Sequence, residues 1–367
     1  MTYKVIGLMS GSSLDGLDIA FVHFHEQRGQ WDFEIREATC YPYESSWQKR
    51  LQEAAALGAR EYVQLHADYG HYLGRSVNRF IEEKGIHLQV DMVASHGHTV
   101  FHSPAQGFTS QVGDGAALAA ETGLAVISDL RNLDVALGGQ GAPIVPRGEA
   151  LLFGGYDLLL NLGGIANLTY HNGNGYIAFD VCAANRVLNM LAAIAGHPYD
   201  DKGQLAASGQ PDQALLDELA ALPYYRQAYP KSLDNGFGIS TVFPLVNGAA
   251  LSIEDKLRTY TEHIAVEIAG AVRSLLSAAA DEKKELRMLI TGGGALNDFL
   301  IDRINAHLEP LSVKTEVPSQ EIVQYKEAVI MGLLGVLRWR EEHTTFATVT
   351  GARRDSIGGV IWLGQGE

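Results

Sequence analysis

The chain has 367 residues, of which 46% are hydrophobic and 19% are charged, and its formal net charge is −15. This length suits two domains, and the low charged fraction excludes a largely disordered chain. Proteins that bind a nucleic-acid backbone are normally basic, so we expect no nucleic-acid partner. Two cysteines, Cys40 and Cys182, are too few for a disulfide framework. Because the sequence shows neither a signal-peptide pattern nor an apolar run long enough to span a bilayer, we expect a cytoplasmic protein without a membrane partner.

The first part of the chain predicts one α/β unit. Apolar runs and alternation predict strands at 5–9, 19–24, 31–43, 91–95 and 124–128, and helices at 45–57, 61–84 and 113–122. The Gly/Ser turn at 10–13 joins the first two strands, and the backbone N–H groups of such a turn can surround a phosphate. Asp15 and Asp18 add carboxylates where a phosphate-bound Mg²⁺ needs oxygen ligands. The alternative is an ordinary hairpin turn with solvated aspartates.

The glycine-rich segment GGQGAP at 138–143 predicts a hinge or a substrate loop, with a plain surface loop as the alternative. The pattern then restarts, with strands predicted at 157–162, 165–170, 176–181 and 287–290 and a hairpin turn at 172–175. Helices are predicted at 184–194, 253–277, 298–308 and 326–340, and closing strands at 345–351 and 357–362. Because the order of the first unit recurs, we predict an internal structural duplication.

Three glycine turns, at 9–13, 162–165 and 291–294, follow predicted strands. Two opposed hairpins can hold a polyphosphate from both sides, and the third turn can let a nucleoside lie against backbone. The turns therefore add Gly163, Gly164, Gly292, Gly293 and Gly294 to a candidate nucleotide site. None matches G-x-x-x-x-G-K-[ST], which excludes a P-loop protein, and TGGGAL lacks the dinucleotide-binding spacing, which disfavours NAD.

Three charged residues are candidates for chemistry. Asp180 ends a predicted strand, where it can take a proton from a nucleophile or simply cap the following helix. Arg131 can bind a ligand carboxylate or hydroxyls, or form a surface salt bridge. Glu327 can interact with a helix N-terminus or contact a ligand. The histidines of SHGHTVFH (95–102) are interpreted as lining a polar cleft, and we expect no metal site there because no carboxylate or cysteine completes a ligand set with them.

Eight segments together resemble a known family, nearly end to end and in order: MSGSSLDGLD, SHGHTVFH, SDLRNLDVALGGQGAP, NLGGIANLT, DDKGQLAASG, ITGGGALN, YKEAVIMGLLG and TVTGA. The sequence resembles the anhydro-N-acetylmuramic acid kinases, which belong to the sugar kinase/Hsp70/actin superfold. The resemblance implies an α/β protein of two ribonuclease-H-like domains, with mixed sheets flanked by helices and an ATP cleft between them. We place these domains at 1–130 with 345–367, and at 131–344.

The resemblance also implies a reaction. Water opens the 1,6-anhydro ring of 1,6-anhydro-N-acetylmuramic acid, O6 takes the γ-phosphoryl group of ATP, and the product, N-acetylmuramic acid 6-phosphate, serves cell-wall sugar recycling. By motif position the base is Asp180. The ATP phosphates are expected to contact Gly11, Ser12, Ser13, Leu14, Asp15, Gly16, Leu17 and Asp18, and the sugar to contact Arg131, Glu327, Asn161 and His96. We expect Mg²⁺ on the phosphates, a small-molecule anhydrosugar substrate and a homodimer.

The sequence departs from the commoner family pattern in three places. D-T-G-P-G-N is DVCAAN at 180–185, H-G-Q-T is HGHT at 96–99, and K-S-T-G-R-E-x-F is KSLDNGFG at 231–238. Two alternatives therefore stay open: a kinase for another 1,6-anhydrosugar such as levoglucosan, and a nucleotide- and sugar-binding sensor without turnover. Retention of Asp180 weighs against the sensor, and ATP consumption that depends on an anhydrosugar discriminates the two classes.

Overall fold

The computed structural model describes residues 1–11, 14–171, 175–229, 231–279 and 285–364. The chain forms two compact units, one of Met1–Gly154 with Tyr325–Glu367 and one of Gly155–Gln324. The sequence predicts the boundaries at 130/131 and 344/345, whereas the compact units assign residues 131–154 and 325–344 to the first unit. None of the helices in the described part of the chain has the length and hydropathy needed to span a bilayer.

Six strands build the mixed sheet of the first unit. They are β1 (Thr2–Ser10), β2 (Gly16–Gln27), β3 (Gln30–Pro42), β4 (Met92–Ser95), β7 (Ala125–Ser128) and β13 (Val360–Trp362). Strands β5 (His98–Ser103) and β6 (Phe108–Val112) form a separate hairpin. The order across the sheet is β13-β7-β4-β1-β2-β3. The strands β1 to β3 are antiparallel, β4 and β7 run parallel to β1, and β13 is antiparallel to β7.

Helices pack on both faces of this sheet. They are α1 (Ser45–Gln52), α2 (Ala59–Lys84), α3 (Gly115–Thr122), α4 (Asn132–Ala136), α5 (Val145–Leu152), α13 (Gln320–Trp339) and α14 (Ala347–Thr350). Successive residues of a strand face opposite sides of a sheet. In β1, Ile6 packs in a cluster with Tyr69 and Phe80 of α2, whereas Val5 packs in a cluster with Leu333 of α13. The central strand is therefore buried on both faces.

The second unit has a five-stranded mixed sheet, and one long helix packs against it to form the core. Its strands are β8 (Leu158–Leu162), β9 (Ile165–His171), β10 (Tyr176–Ala183), β11 (Leu286–Thr291) and β12 (Val313–Glu316). Its helices are α6 (Asn185–Ile194), α7 (Gln204–Ser208), α8 (Gln213–Ala220), α9 (Asn235–Phe237), α10 (Phe243–Gly248), α11 (Ile253–Ala279) and α12 (Asp298–Leu308). Tyr260, Ile264 and Ile268 of α11 pack in one cluster with Leu158 and Leu160 of β8.

The two sheets share one topology. In the second unit the order is β10-β9-β8-β11-β12, with β8 to β10 antiparallel and β11 and β12 parallel to β8. If the sheet strands of each unit are numbered from one in chain order, both sheets have the order 3-2-1-4-5. The first unit adds β13 at its edge. This order and these strand directions are those of a ribonuclease-H-like fold. The predicted α/β class with two ribonuclease-H-like units, and the predicted duplication, are therefore confirmed.

The GGQGAP segment at 138–143 lies inside the first unit and does not join the two units. Hydrogen bonds tie it to that unit. The Gly141 N–H donates to Asp134 Oδ2 at 2.8 Å, and the Gln140 N–H donates to the Thr350 carbonyl at 2.8 Å. The prediction of a hinge at this segment is therefore wrong. The segment lies within one unit, and its backbone is hydrogen-bonded to Asp134 before it and Thr350 after it in the chain.

Two other local predictions differ from the structure. The closing strand predicted at 345–351 is wrong, because this region holds the short helix α14, whose first N–H, on Ala347, donates to Asp355 Oδ1 at 2.8 Å. The hairpin of β5 and β6 was not predicted, since its histidine-rich sequence was interpreted as a loop. Residues 172–174 of the predicted hairpin turn lie outside the described residues.

Candidate active site

The turn between β1 and β2 carries the predicted phosphate-binding segment. Ser12 and Ser13 lie outside the described residues. The Leu14 N–H donates to the Gly11 carbonyl at 3.4 Å, and Leu14 has a left-handed φ of 58°. The Asp15 carbonyl accepts the Tyr43 N–H at 3.3 Å, which ties the turn to the end of β3. Gly11, Leu14 and Asp15 therefore lie at the carboxyl end of a central strand, the end of the sheet where α/β proteins bind ligands.

The next two predicted phosphate contacts, Gly16 and Leu17, already belong to β2. A Cβ on Gly16 would lie 2.6 Å from Cys40 Sγ and 2.7 Å from the Tyr41 carbonyl oxygen, so packing against β3 requires glycine here. The Leu17 side chain is buried in the core. A nucleotide can therefore meet only the backbone at these two positions.

Asp18 lies in a group of acidic side chains within the first unit. Burial, together with the negative charges of Asp15 and Glu327, raises the pKa of Asp18 to about 6, although a hydrogen bond with the Cys40 side chain opposes the increase. The structure therefore brings Asp15, Asp18 and Glu327 close enough to interact electrostatically. A cation would be favoured in this neighbourhood.

Arg131 and His96, both predicted to contact the sugar, contact each other. The Arg131 Nε donates to His96 Nε2 at 2.8 Å, and its Nη1 donates to the Gly141 carbonyl at 2.8 Å. His96 Nδ1 lies 2.9 Å from the Gly97 carbonyl, so this nitrogen donates and His96 is neutral. Burial and the Arg131 charge lower the pKa of His96 to about 3, whereas burial lowers the pKa of Arg131 to about 10. Arg131 therefore stays cationic at neutral pH.

Glu327 lies beside a buried ion pair in the same unit. Lys326 Nζ donates to Glu149 Oε1 at 2.7 Å, and both side chains are almost fully buried. Burial raises the pKa of Glu327, while the positive charges of Lys326 and Arg131 oppose the increase. Lys326 is paired with Glu149, and among the described residues no hydrogen bond to the Glu327 carboxylate is seen.

In the second unit, strand pairing places four polar residues in one row. Asp180 of β10 pairs with Asn167 of β9, Asn167 with Asn161 of β8, and Asn161 with Thr291 of β11. Directly paired residues point to the same face of a sheet. The row therefore presents a carboxylate, two amides and a hydroxyl on one face, at the end where β8 and β11 give way to glycine turns.

Asp180 is held by the segment that follows Pro230. Its Oδ2 accepts the Leu233 N–H at 2.9 Å, its N–H donates to the Lys231 carbonyl at 3.2 Å, and its carbonyl accepts the Tyr224 hydroxyl at 2.6 Å. The register of β10 shifts between Asp180 and Cys182, so the strand bulges at this carboxylate. Burial raises the pKa of Asp180, and the Leu233 N–H opposes the increase.

The turn between β8 and β9 meets the start of α6. The Gly163 carbonyl accepts the Asn185 N–H at 3.1 Å, and the Gly164 carbonyl accepts the Ala184 N–H at 2.8 Å. The Asn185 side chain donates to the Leu162 carbonyl at 2.8 Å. These bonds fix the Gly163–Gly164 turn beside the row that contains Asn161.

The glycine turn after β11 packs against Asn161 and Leu162 at the end of β8. A Cβ on Gly292 would lie 2.5 Å from Asn161 Oδ1, and one on Gly294 would lie 2.7 Å from the Leu162 Cβ. A Cβ on Gly293 would meet nothing closer than Asn185 Nδ2 at 3.8 Å. The structure therefore brings Asn161, Gly163–Gly164 and Gly292–Gly294 together, and only Gly293 of the triplet has space above its Cα.

Sequence reasoning missed three residues that surround Asp180: Asn167, Tyr224 and Lys231. Lys231 Nζ lies 4.5 Å from the centre of the Tyr224 ring, and Tyr224 in turn bonds the Asp180 backbone. Asn167 could have been noticed in the sequence, because an amide side chain is unusual within a mainly apolar strand such as IANLTYH. No signal in the sequence pointed to Tyr224, because it reaches Asp180 across 44 residues of chain.

The duplicated ribonuclease-H-like topology, with glycine turns at the strand ends, defines a protein of the sugar kinase/Hsp70/actin superfold. A family model for anhydro-N-acetylmuramic acid kinase matches residues 3–364. The anhydro-N-acetylmuramic acid kinase of Methylobacterium nodulans is 35% identical, over 97% of this chain and 99% of its own. The one from Gloeobacter violaceus is 34% identical, over 95% of this chain and 96% of its own. The chain belongs to the anhydro-N-acetylmuramic acid kinase family and is a kinase.

Among solved structures, the activator of the 2-hydroxyisocaproyl-CoA dehydratase from Clostridium difficile with bound ADPNP aligns with a TM-score of 0.44 at 14% identity. The alignment covers 93% of this chain and 96% of the activator.

Proposed function

We propose that this kinase uses water to open the 1,6-anhydro ring of 1,6-anhydro-N-acetylmuramic acid and transfers the γ-phosphoryl group of ATP to O6. The water oxygen bonds to C1, the C1–O6 bond breaks, O6 takes the phosphoryl group as ADP leaves, and a base takes the proton of the water. The product is N-acetylmuramic acid 6-phosphate, a cytoplasmic intermediate of cell-wall sugar recycling. The observation that carries the proposal is a family match over residues 3–364.

We propose Asp180 as the base. Its raised pKa makes the carboxylate a stronger base than a free aspartate. One oxygen accepts the Leu233 N–H, and the other has no hydrogen-bond partner among the residues that the structure describes. An oriented carboxylate with one free oxygen is the geometry that proton transfer from water needs. Taking that proton as C1–O6 breaks stabilises the charge that develops in the transition state.

The nucleotide phosphates are proposed to bind the turn that begins at Gly11, and Mg²⁺ is proposed to accompany them. Mg²⁺ prefers carboxylate and phosphate oxygens. Asp15 and Asp18 fit this role: burial and, to a lesser extent, the negative charges of Asp15 and Glu327 raise the pKa of Asp18, and a nearby cation would offset both effects. When bound, Mg²⁺ neutralises charge on the phosphates during transfer. The backbone of Gly293, which has open space above it, is proposed to lie against the nucleotide.

Arg131, Glu327, His96 and Asn161 are proposed to contact the sugar. The guanidinium of Arg131 remains cationic and suits the lactyl carboxylate of a muramic acid. Neutral His96 holds Arg131 Nε, which fixes the plane of the guanidinium. Glu327 and Asn161 offer acceptors and an amide donor for sugar hydroxyls. Levoglucosan has no carboxylate, so Arg131 favours the muramic acid over that alternative.

The small-molecule anhydrosugar is the partner that we propose, with no nucleic-acid partner in view of the net charge of −15. We also propose a homodimer. Light scattering on the purified protein measures its mass in solution, and a mass near that of one 39.7 kDa chain would exclude the dimer.

A panel assay tests the reaction. ADP release is measured with Mg²⁺ and ATP plus 1,6-anhydro-N-acetylmuramic acid, levoglucosan, or no sugar. We expect turnover with the muramic acid and the 6-phosphate as product by mass spectrometry. Turnover with levoglucosan in preference would support the other anhydrosugar kinase. Binding of nucleotide and sugar without any ADP release would support the sensor.

Asp180→Asn tests the base, because the amide keeps the shape of the side chain but cannot take a proton. We expect kcat to fall about a hundredfold or more, with little change in ATP and sugar binding. The wild-type kcat/KM should rise with pH as Asp180 loses its proton, at a pH above the ordinary aspartate pKa of 3.8 because burial raises it. The variant should lack this rise.

The control for Asp180→Asn is Asp217→Asn, the same change at an exposed position of α8. Near-wild-type turnover by folded Asp180→Asn would place the base elsewhere, with Glu327 as the next candidate. A variant that does not fold would show that Asp180 acts mainly in holding the bulge of β10.

A further inference from the structure

Two segments that carry the family resemblance, GGQGAP at 138–143 and TVTGA at 348–352, meet in the first unit at the buried carboxylate of Asp134. The Gly141 N–H donates to Asp134 Oδ2 at 2.8 Å, and the Thr350 hydroxyl donates to Asp134 Oδ1 at 2.8 Å. Each carboxylate oxygen therefore accepts a hydrogen bond from a different segment. Asp134 joins the two segments although it lies 216 residues before Thr350.

The GGQGAP segment has little freedom around this carboxylate. The Gln140 N–H donates to the Thr350 carbonyl at 2.8 Å. Gly141 has a left-handed φ of 65°, and a Cβ at this position would lie 2.5 Å from Val135 Cγ2. Because only glycine fits there, the direction of the Gly141 carbonyl is set by the conformation of the segment.

The Gly141 carbonyl holds a side chain that we propose to contact the sugar. It accepts Arg131 Nη1 at 2.8 Å, while Arg131 Nε donates to His96. A guanidinium is planar and rigid, so two bonds from different nitrogens fix both its place and its plane. Nη2 of Arg131 donates to none of the described residues. Its N–H groups therefore point in a direction that the other two bonds determine, which is what recognition of a ligand carboxylate needs.

A continuous path of hydrogen bonds thus leads from Thr350 to Arg131. Its three bonds run through Asp134 and Gly141, and each measures 2.8 Å. Thr350 and Asp134 are buried, so water competes little for these bonds. Charge supports the same arrangement: burial lowers the pKa of Arg131 to about 10, and the negative charges of Glu327 and Asp134 oppose this decrease. Asp134 therefore acts on Arg131 through the segment and through its charge.

We propose that Asp134 is a positioning residue for Arg131 and that Thr350 in turn holds Asp134. Asp134 does not touch the sugar, because its side chain is fully buried and both of its oxygens are occupied. The GGQGAP and TVTGA segments then share one role, since together they support a single guanidinium. This assignment rests on the proposed function, in which Arg131 contacts the sugar.

Calorimetry on the complete chain with 1,6-anhydro-N-acetylmuramic acid tests the assignment. Asp134→Asn keeps the shape of the side chain, but its amide has one acceptor oxygen and no charge. We expect sugar binding to weaken about threefold to tenfold, with ATP binding within about twofold of the wild type. In an Arg131→Ala background the same change should alter sugar affinity by less than about twofold, because Asp134 acts through Arg131.

A second measurement does not depend on the sugar. The Arg131 Nε–H is bonded to His96, so its exchange with solvent, followed by NMR of the arginine side chains, should be slow in the wild type. Asp134→Asn should speed this exchange about threefold or more, because the Gly141 carbonyl no longer holds the guanidinium in place. Thr350→Val removes the hydroxyl that Asp134 accepts and should act in the same direction, and it replaces Asp134→Asn if that variant does not fold.

The matched control is Thr345→Val, the same chemical change at a second buried threonine of the same region. The Thr345 hydroxyl bonds with the Ser356 hydroxyl at 2.7 Å and lies outside the path to Arg131. This variant should keep the wild-type sugar affinity and the wild-type exchange rate of the Arg131 Nε–H, even if the loss of a buried hydrogen bond lowers its melting temperature.

Two results would overturn the assignment. One is a wild-type exchange rate of the Arg131 Nε–H in folded Asp134→Asn and Thr350→Val. The other is a loss of sugar affinity from Asp134→Asn that is as large in the Arg131→Ala background as in the wild type. The proposed function fails separately, if the wild type does not phosphorylate the muramic acid. The exchange of the Arg131 Nε–H then still decides whether Asp134 positions Arg131.

Discussion

At the scale of single residues, Asp180 depends on neighbours that come from distant parts of the chain. The Leu233 N–H orients its carboxylate, and the Tyr224 hydroxyl bonds its carbonyl at the bulge of β10. Tyr224 is itself fixed by Lys231, whose ammonium group lies over the ring. If Asp180 is the base, as proposed, Tyr224 is a positioning residue, since it contacts Asp180 only through the backbone carbonyl.

Tyr224→Phe removes this hydrogen bond while keeping the ring under Lys231. A hydrogen bond contributes about 0.5–1.5 kcal/mol, so we expect kcat to fall about threefold to tenfold. KM for the sugar should stay within about twofold, because the bond holds the proposed base and does not bind the substrate. Steady-state kinetics on the purified variant separates the two effects.

The neighbouring Tyr225 provides a matched control. Its hydroxyl is buried without a hydrogen-bond partner among the described residues. Tyr225→Phe removes an unpaired polar atom, so it should leave kcat unchanged and leave the melting temperature equal or slightly higher. Equal kinetic losses in the two variants would show that the cluster is sensitive to packing and that the bond to Asp180 has no special role.

The sequence could indicate Asp180, Arg131 and Glu327 as candidates, because each is a charged residue at the end of a predicted element or in a polar segment. It could not show that Asp180 and Asn167 lie side by side. That proximity depends on the register between β9 and β10, which is set by how the whole sheet pairs. The pairing of Arg131 with His96 likewise depends on two strands meeting at one sheet edge.

At the scale of elements, the glycine turn after β11 contains two kinds of glycine. Some are required by close packing, and one has open space where a side chain would lie. Gly292 has a φ of 80°, and its missing Cβ leaves room for Asn161 and for the Leu162 backbone. Gly293 has no such neighbour. The first glycine is thus required by the fold, whereas the second leaves an open backbone surface that suits a ligand.

We therefore expect opposite effects from substitutions at these two glycines. Gly293→Val should weaken ATP binding about tenfold or more in calorimetry and leave the melting temperature nearly unchanged, because its side chain enters open space. Gly292→Ala should lower stability by about 1–2 kcal/mol or more, since a left-handed backbone disfavours any Cβ and Asn161 occupies the space. Unchanged ATP affinity in folded Gly293→Val would remove this turn from the nucleotide site.

Elements with a strong hydrophobic period were predictable, and short polar ones were not. The long helix α2 has buried residues at helical spacing, and it begins within two residues of the predicted start. The segment that forms α14 contains β-branched residues, which favour a strand. It is a helix because contacts from elsewhere decide it: Asp355 accepts its first N–H, and the Thr350 hydroxyl donates to buried Asp134.

At the scale of the whole molecule, the repeated strand order was predictable from the recurrence of elements, but the extent of each unit was not. The first unit includes most of α13, whose apolar residues pack on β1 and β4. A close approach makes this packing specific: a Cβ on Gly7 of β1 would overlap the backbone of Ala328. Such a contact joins residues more than 300 positions apart, so local patterns carry no trace of it.

Each unit has hydrophobic clusters of its own, and this predicts that the two units unfold as separate cooperative blocks. Leu8 of β1 and Leu160 of β8 are buried in corresponding central strands. Replacing either by alanine should cost its unit about 2–5 kcal/mol. All four tryptophans, at 31, 47, 339 and 362, lie in the first unit. Tryptophan fluorescence therefore reports on that unit, whereas circular dichroism reports on both.

In urea titrations, Leu8→Ala should shift the fluorescence transition to lower urea. Leu160→Ala should leave the fluorescence transition in place and shift only part of the circular dichroism change, because the weakened block contains no tryptophan. The wild type is the reference for both variants. If Leu160→Ala moves the fluorescence transition as far as the circular dichroism transition, the two units unfold together, and the separate clusters do not correspond to separate cooperative blocks.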